Sequence, residues 1–463
     1  MGLSATKLFV ILVATIFVAS PFAAHATATS SATITLNPVI NLSNSPANST
    51  APVVRSVGKY VYVAWVEKPT SSHSLVYFDA SSDSGATWSA PVAFSGLQGT
   101  ANQHSSAVQM AAEGSYVFMD WKQGSQTGYA ISANNGATFT YGVFSVPSAL
   151  AGTMTGQAVA ACGSYAYFTW ADQTPTSHGK PIIFIQAHDT GSGTFSLTTA
   201  ASISSTTSAF GEDESACVGN YVYVVWDSIY FTASANNGAT WSTIQQLKAS
   251  GGSGGTLSRE PMVAAAGTNV YVTYPSDVTG SYQDYIVVSN NNGATFAAPM
   301  MISTGMNNSR EVQNGAIGNT VYVTARGKMP GVGGTQQYVY VSSNAGGSFT
   351  SPILLGKLPN PENGFGGIAI DGGNANVYVA WIHRALKGVS NPQQIFLSGS
   401  NDGGSTWTAP VQVSHSVNGT VGYGDPSGGQ GPMVAASNGM VYVVWQDNTT
   451  GNGDIYFASG SLS

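Results

Sequence analysis

Short apolar runs alternate with breaks rich in Gly, Ser, Thr and Asn along nearly the whole chain. The most regular run is V-Y-V-x-W at Val61–Trp65. Variants stand at Val117–Trp121, Ala166–Trp170, Val222–Trp226, Val270–Tyr274, Val321–Ala325, Val377–Trp381 and Val441–Trp445. Each is rich in β-branched and aromatic residues with little polar alternation, the pattern of a strand buried on both faces. The copies recur about every 54 residues. Most follow a small-residue strand ending in a Gly turn, as at Met262–Gly267. Most precede a third strand such as Val76–Ala80, Ile229–Ala233 or Tyr338–Ser342. A fourth strand completes each unit. Four strands per unit of roughly 50 residues predict an all-β fold, a β-propeller of eight blades, with seven or six as the alternatives.

A second motif marks the turn after the third strand. Ser-x-Asp/Asn-x-Gly-x-Thr/Ser-aromatic occurs at Ser81–Trp88, Ser132–Phe139, Ser234–Trp241, Ser289–Phe296, Ser342–Phe349 and Ser400–Trp407. The acidic or amide residues (Asp83, Asn134, Asn236, Asn291, Asn344 and Asp402) can accept backbone N–H bonds and close a tight turn. Gly two positions later permits a positive φ. The terminal ring pins the turn to neighbouring strands. These residues are therefore assigned a structural role. The motif resembles the Asp box, or BNR repeat, of the sialidase superfamily. The resemblance implies a propeller whose boxes lie on the face away from the active site. Around Asp189–Phe195 an extra residue disrupts the spacing, and the last unit has three strands and no box. The strand-like segment Thr33–Ser43 is expected to supply its fourth and close the ring, which hides the sheet edges.

Composition narrows the function. Charged residues are only 8% of the 463, with a net charge of −7 and a pI near 5.4. No basic stripe exists to neutralise phosphates, which excludes nucleic acid and disfavours anionic membranes. Residues 1–26 read as a signal peptide: Lys7 leads an apolar run from Leu8 to Ala19, and Ala24-His25-Ala26 fits a cleavage site. A retained anchor helix is the alternative, opposed by Pro21 and the shortness of the run. The expected mature domain is 27–463, secreted or at the cell surface, without a membrane span once the leader is removed. Sequons at Asn41, Asn48, Asn307, Asn418 and Asn448 are compatible with glycosylation.

The candidate chemistry lies opposite the boxes. Turns joining first to second strands are short and uniform, whereas two-to-three loops such as Ala171–Pro181, Pro275–Asp284 and Arg326–Gln336 are long and varied. Variable loops on a rigid scaffold are where binding usually resides. Glu212, Glu260 and Glu311 fall at one equivalent place in blades four to six, and Arg259 and Arg310 precede two of them in Ser-Arg-Glu triplets. Three readings follow: inter-blade ion pairs, a ligand-facing site, or a Ca²⁺ site, for which no acidic loop motif speaks. No cofactor is otherwise expected.

The sialidase resemblance implies three Arg around a substrate carboxylate, a Tyr nucleophile paired with Glu, and an Asp acid. Arg259 and Arg310 are candidates for two of the three, with Arg326 or Arg384 as the third. Tyr423, Glu212 and Asp425 are the candidate catalytic set, and Tyr282 could stack on a sugar ring. The Arg-Ile-Pro segment that opens many sialidase domains is absent, since Arg55 stands in V-V-R-S-V-G. Sialidase catalytic domains also usually have six blades. The expected function is recognition of a glycan or other extracellular ligand at the channel mouth, as an exo-α-sialidase if an enzyme. The alternative is a non-catalytic surface or matrix scaffold, and a lyase remains a third reading. Cys162 and Cys217 end adjacent first strands, offset by one residue relative to their turns. That offset points equivalent side chains in opposite directions, leaving a disulfide across one blade interface or two free buried thiols.

Overall fold

The computed structural model describes residues 30–70, 73–94, 105–150, 153–173, 181–191, 193–204, 213–248, 260–358, 362–384, 393–416 and 433–463. The leader at 1–26, Glu212, Arg259, Asn418, Tyr423 and Asp425 lie outside these residues, and the side chain of Arg384 is likewise not described.

Eight antiparallel sheets follow one another along the chain, and in seven of them four consecutive strands pair in order. A short extra piece, Ala201–Ser202, joins the sheet of blade three. The first strands pack side by side from blade to blade, the eighth against the first, so they encircle a central channel. This is an eight-bladed β-propeller. Its one helix among the described residues is a 3-10 turn at Ser148–Leu150. Within the same residues no helix is long and apolar enough to cross a membrane.

The V-Y-V-x-W runs form the second strands, with a sheet neighbour on each side and another blade against each face. Trp65, Trp121, Trp226, Trp381 and Trp445 are fully buried or nearly so. Trp65 stacks on Tyr77, Trp226 on Tyr230 and Trp445 on Tyr456, with centroids 5.8, 5.8 and 5.9 Å apart. The core lies between blades rather than within one. Tyr62, Val76 and Phe78 of blade one, for instance, pack with Met110, Met119 and Trp121 of blade two.

Ring closure uses both ends of the described chain. Ile34–Leu36 pairs with the last strand, Asp454–Leu462, in the register Ile34↔Leu462. Ile40–Asn41 pairs lower down the same strand, at Phe457 and Tyr456. The expected single strand is thus two pieces, interrupted around Pro38, which has no N–H to donate to a ladder. Asp454 binds the second piece through Asn41 Nδ2 at 3.0 Å and Ser43 Oγ at 3.1 Å.

The boxes clasp blades together. In the first, Ser81 Oγ donates to Asp83 Oδ1 and accepts the N–H of Gly85, while Asp83 receives both the N–H and the hydroxyl of Thr87. These donors, Thr87 foremost, hold the Asp83 carboxyl down at about 2. The same Ser–Asx pairing recurs in the other five. Each box also leans on the preceding blade: Gly85 sits on Phe457, Gly136 on Phe78, Gly238 on Phe184 and Gly293 on Phe231. The Tyr of the V-Y-V run reaches the same box, as in Tyr167 to Asn237 Oδ1 at 2.9 Å and Tyr223 to Asn292 Oδ1 at 3.3 Å. Blade three keeps this link without a regular box, because Tyr116 of blade two donates to Asp189 at 3.0 Å.

Cys162 and Cys217 form a disulfide between the first strands of blades three and four, with Cα atoms 6.1 Å apart. The bond closes a loop with a sequence separation of 55 residues. Its loss in Cys162→Ser is expected to cost about 2–4 kcal/mol. Urea unfolding with and without reductant checks this: the parent should fall to the level of the variant only when reduced. Coincident curves for the oxidised parent and the variant would contradict it.

Candidate ligand-binding site at the channel mouth

The first strands enter the channel through a repeated β-bulge. Register jumps occur between Thr50 and Val53, Ser106 and Gln109, Thr155 and Gln157, and Arg310 and Gln313. At each, one residue is left-handed: Ala51 (φ 53), Ala107 (φ 56), Gly156 (φ 61) and Glu311 (φ 61). Glu260 (φ 50) takes the equivalent place in blade five, seven positions before the Gly of its turn like the others. Positive φ is uncommon for side chains other than Asn or Asp and marks a held conformation. Three blades hold Ala or Gly there; blades five and six hold Glu.

The bulge in blade six decides how the charges pair. Arg310 and Arg326 stand directly opposite each other on neighbouring strands, an unfavourable juxtaposition of like charges. Glu311 relieves it by pairing with Arg326 through both carboxylate oxygens. Arg310 instead lies over the Tyr282 ring of blade five, 5.1 Å from its centroid, a cation–π contact. Its Nε–H is buried and donates to no partner, and no carboxylate among the described residues pairs with it.

The expected inter-blade ion pair through Arg310 is therefore corrected: its contact across the blade boundary is an aromatic face, and Glu311 is engaged within its own blade. Arg326 as a third carboxylate-binding Arg is corrected too, because Glu311 already occupies its fork. Arg384 ends the second strand of blade seven, in register with Glu362. Glu260 donates its N–H to Asp227 Oδ1 of blade four at 3.4 Å. Among the described residues no group of three or more His, Cys, Asp or Glu is placed to hold a metal ion.

Two residues beneath this surface escaped the sequence reading. Asp284 is fully buried, with Ser309 Oγ donating to its Oδ2 and its Oδ1 unpartnered. Burial, with the charge of Glu311 adding, pushes its carboxyl up to about 7. Ser309 also donates its N–H to Tyr282 O at 2.9 Å. The Asp284–Ser309 pair thereby fixes both Tyr282 and the neighbouring Arg310. A polar Gln-Asp step at the head of the apolar strand Gln283–Ser289 was the available signal.

The rim around the mouth is uneven. Blade five reaches from Ser276 to Gln283 and blade six from Gly327 to Gln336. Blades two and four turn back at once, at Gly124-Ser125 and at Asp227–Ile229. The long-loop expectation therefore holds for the site's own blades and not for all.

An eight-bladed propeller clasped by Asp boxes is a BNR-repeat propeller. The family model of the BNR repeat-like domain matches residues 173–443, more than half of the chain, and the protein belongs to that family. Among solved structures, phage phi92 endosialidase is 12% identical, with 93% of this chain and 70% of that chain covered and a TM-score of 0.42. A polysaccharide lyase, the PL25 ulvan lyase, is 10% identical over 75% of this chain and 90% of its own, with a TM-score of 0.49. Trypanosoma rangeli sialidase in complex with the inhibitor DANA is 12% identical over 89% of this chain and 55% of its own, with a TM-score of 0.39. No curated protein matches.

Proposed function

We propose that the protein is an exported propeller that recognises an acidic glycan at the mouth over blades five and six. The observation that carries this is Arg310, a half-buried guanidinium that lies over the Tyr282 ring and has no carboxylate partner among the described residues. A guanidinium fork suits a sugar carboxylate, and an aromatic face suits the sugar ring beside it. The leader-like residues 1–26 and the disulfide support export to an oxidising compartment.

The test is calorimetric titration with a sialoside, a uronate oligosaccharide and a neutral oligosaccharide of similar size. At least one acidic glycan is expected to bind more tightly than the neutral one, and Arg310→Ala to weaken it by about 10- to 100-fold. Equal affinity for the neutral sugar, or none for any, removes the reading.

Exo-α-sialidase activity is the enzymatic form of this proposal. A fluorogenic sialoside decides it: turnover by the parent and its loss in Arg310→Ala support hydrolysis. Binding without turnover is the second reading, a non-catalytic scaffold. The engagement of Arg326 by Glu311 favours it, because that pair leaves one fewer Arg for a substrate carboxylate.

A further inference from the structure

We infer that Asp284 is a positioning residue of the mouth site, acting through Ser309 on the Tyr282–Arg310 platform, and that its proton sets the affinity for an acidic glycan. The inference rests on the glycan reading of Arg310. Asp284 stands on the third strand of blade five and is fully buried where that strand meets the first strand of blade six. One residue joins it to both halves of the platform. Ser309 gives its hydroxyl to Asp284 Oδ2 and its N–H to Tyr282 O, the latter at 2.9 Å, and Arg310 follows Ser309 directly in the chain. The link is held from both sides. The Asp284 N–H donates to Ser303 Oγ at 2.8 Å. Beside Ser309, Gly327 leaves so little room that a Cβ there would lie 3.3 Å from the Ser309 hydroxyl oxygen.

Two buried atoms at this boundary lack partners: Asp284 Oδ1, an acceptor, and Arg310 Nε–H, a donor. An ionised Asp284 would have one hydroxyl to stabilise its charge, and burial accordingly pushes the carboxyl up to about 7. Once ionised, Asp284 acts against the ligand twice. Its charge has the sign of the sugar carboxylate and is weakly screened inside the protein. It also competes for Arg310, drawing the guanidinium off the Tyr282 ring. The neutral acid does neither. Within blade five the neighbours are uncharged: Pro275 lies opposite Asp284, with Ile302 and Ser303 on the other side. From blade six the first strand brings Arg310 and Glu311, the second Arg326 and Lys328, and the third Tyr338 and Tyr340. Burial raises both phenols, so they stay neutral where Asp284 titrates.

The experiment titrates the protein with a sialoside and a uronate oligosaccharide by calorimetry at about pH 5.5 and about pH 8.5. Sugar carboxylates and arginine stay charged across this range, so their pairing alone gives no pH dependence. The parent is expected to bind about tenfold more weakly at the higher pH. The ligand's charge favours the proton on Asp284, so binding near pH 7 should take up protons, read from the heats in two buffers of different ionisation enthalpy. Asp284→Asn, which keeps an acceptor for the Ser309 hydroxyl, should abolish both the dependence and the uptake. Asp213→Asn removes another carboxyl raised to about 7, on the first strand of blade four, and should retain both. A flat profile in the parent, or one that Asp284→Asn keeps or Asp213→Asn loses, overturns the role of Asp284 and leaves the glycan reading standing. No binding of either acidic sugar at either pH overturns the glycan reading, and this role with it. Should Asp284→Asn fail to fold, proton uptake by the parent and by Asp213→Asn decides, and its absence from either overturns the role.

Discussion

Gly238→Ala is expected to destabilise the protein by about 3–5 kcal/mol, and Gly219→Ala by only about 1–2 kcal/mol. Both glycines are left-handed, at φ +86 and φ +57, so both substitutions carry the conformational cost of an L-residue there. They differ in what a methyl group would meet. At Gly219 there is nothing within 4 Å, whereas at Gly238 a Cβ would lie 2.3 Å from Phe184 Cζ. Phe184 cannot step aside easily: it is 4% exposed, edge-on to Trp241 at 4.9 Å and stacked on Tyr167 at 6.2 Å. The excess cost at Gly238 is therefore the cost of prising blade four's box off blade three. Equilibrium urea unfolding of the two variants measures it, and equal midpoints would show that the box is only a local turn.

That contact also explains what the sequence could reveal. The six boxes and the eight V-Y-V-x-W runs are repeated because one packing problem, joining a blade to the next, is solved again at each boundary. Repetition makes such a solution legible: blade number and strand order could both be read from spacing. The purpose of the Tyr in V-Y-V could not, because its partner, as in Tyr167 to Asn237, lies in the following unit. The candidate site was legible only as a location. Glu260, Glu311 and Arg310 could be placed at the mouth by counting back from Gly. Whether Glu311 meets Arg310 or Arg326 depends on a bulge that turns one side chain by a single residue, and no periodicity encodes that choice. Asp284 was hidden for a related reason, since one acidic residue in an apolar strand reads as exposed until its burial is known.

Stability is expected to fall as pH rises from about 4 to 8, with Asp284 as a principal source. Burial pushes the carboxyls of both Asp284 and Asp213 up to about 7, helped by the charges of Glu311 and Asp227 respectively. Asp120, fully buried as well, shifts in the same direction. In the unfolded chain such groups titrate near 3.8. Between the two values the folded state holds protons that the unfolded state has released, so their contribution is intact below about pH 4 and is lost as pH rises through about 7. A displacement of this size is worth roughly 4 kcal/mol per group as an upper figure. Asp284→Asn removes one such proton equilibrium while keeping an acceptor for the Ser309 hydroxyl. Its amide N–H groups face the place where Oδ1 has no partner, at a cost of about 1–3 kcal/mol that does not vary with pH. The variant should therefore be less stable than the parent at pH 4 and more stable at pH 8. Urea midpoints across that range test the crossing, and parallel curves would show that Asp284 stays ionised in the folded protein. Glu311 and Tyr340 are the titratable groups facing Asp284 from blade six. Glu311→Gln should accordingly lower the Asp284 transition by removing a neighbouring negative charge. The same substitution frees Arg326 from its carboxylate partner, so an increase in acidic-glycan affinity is expected alongside it.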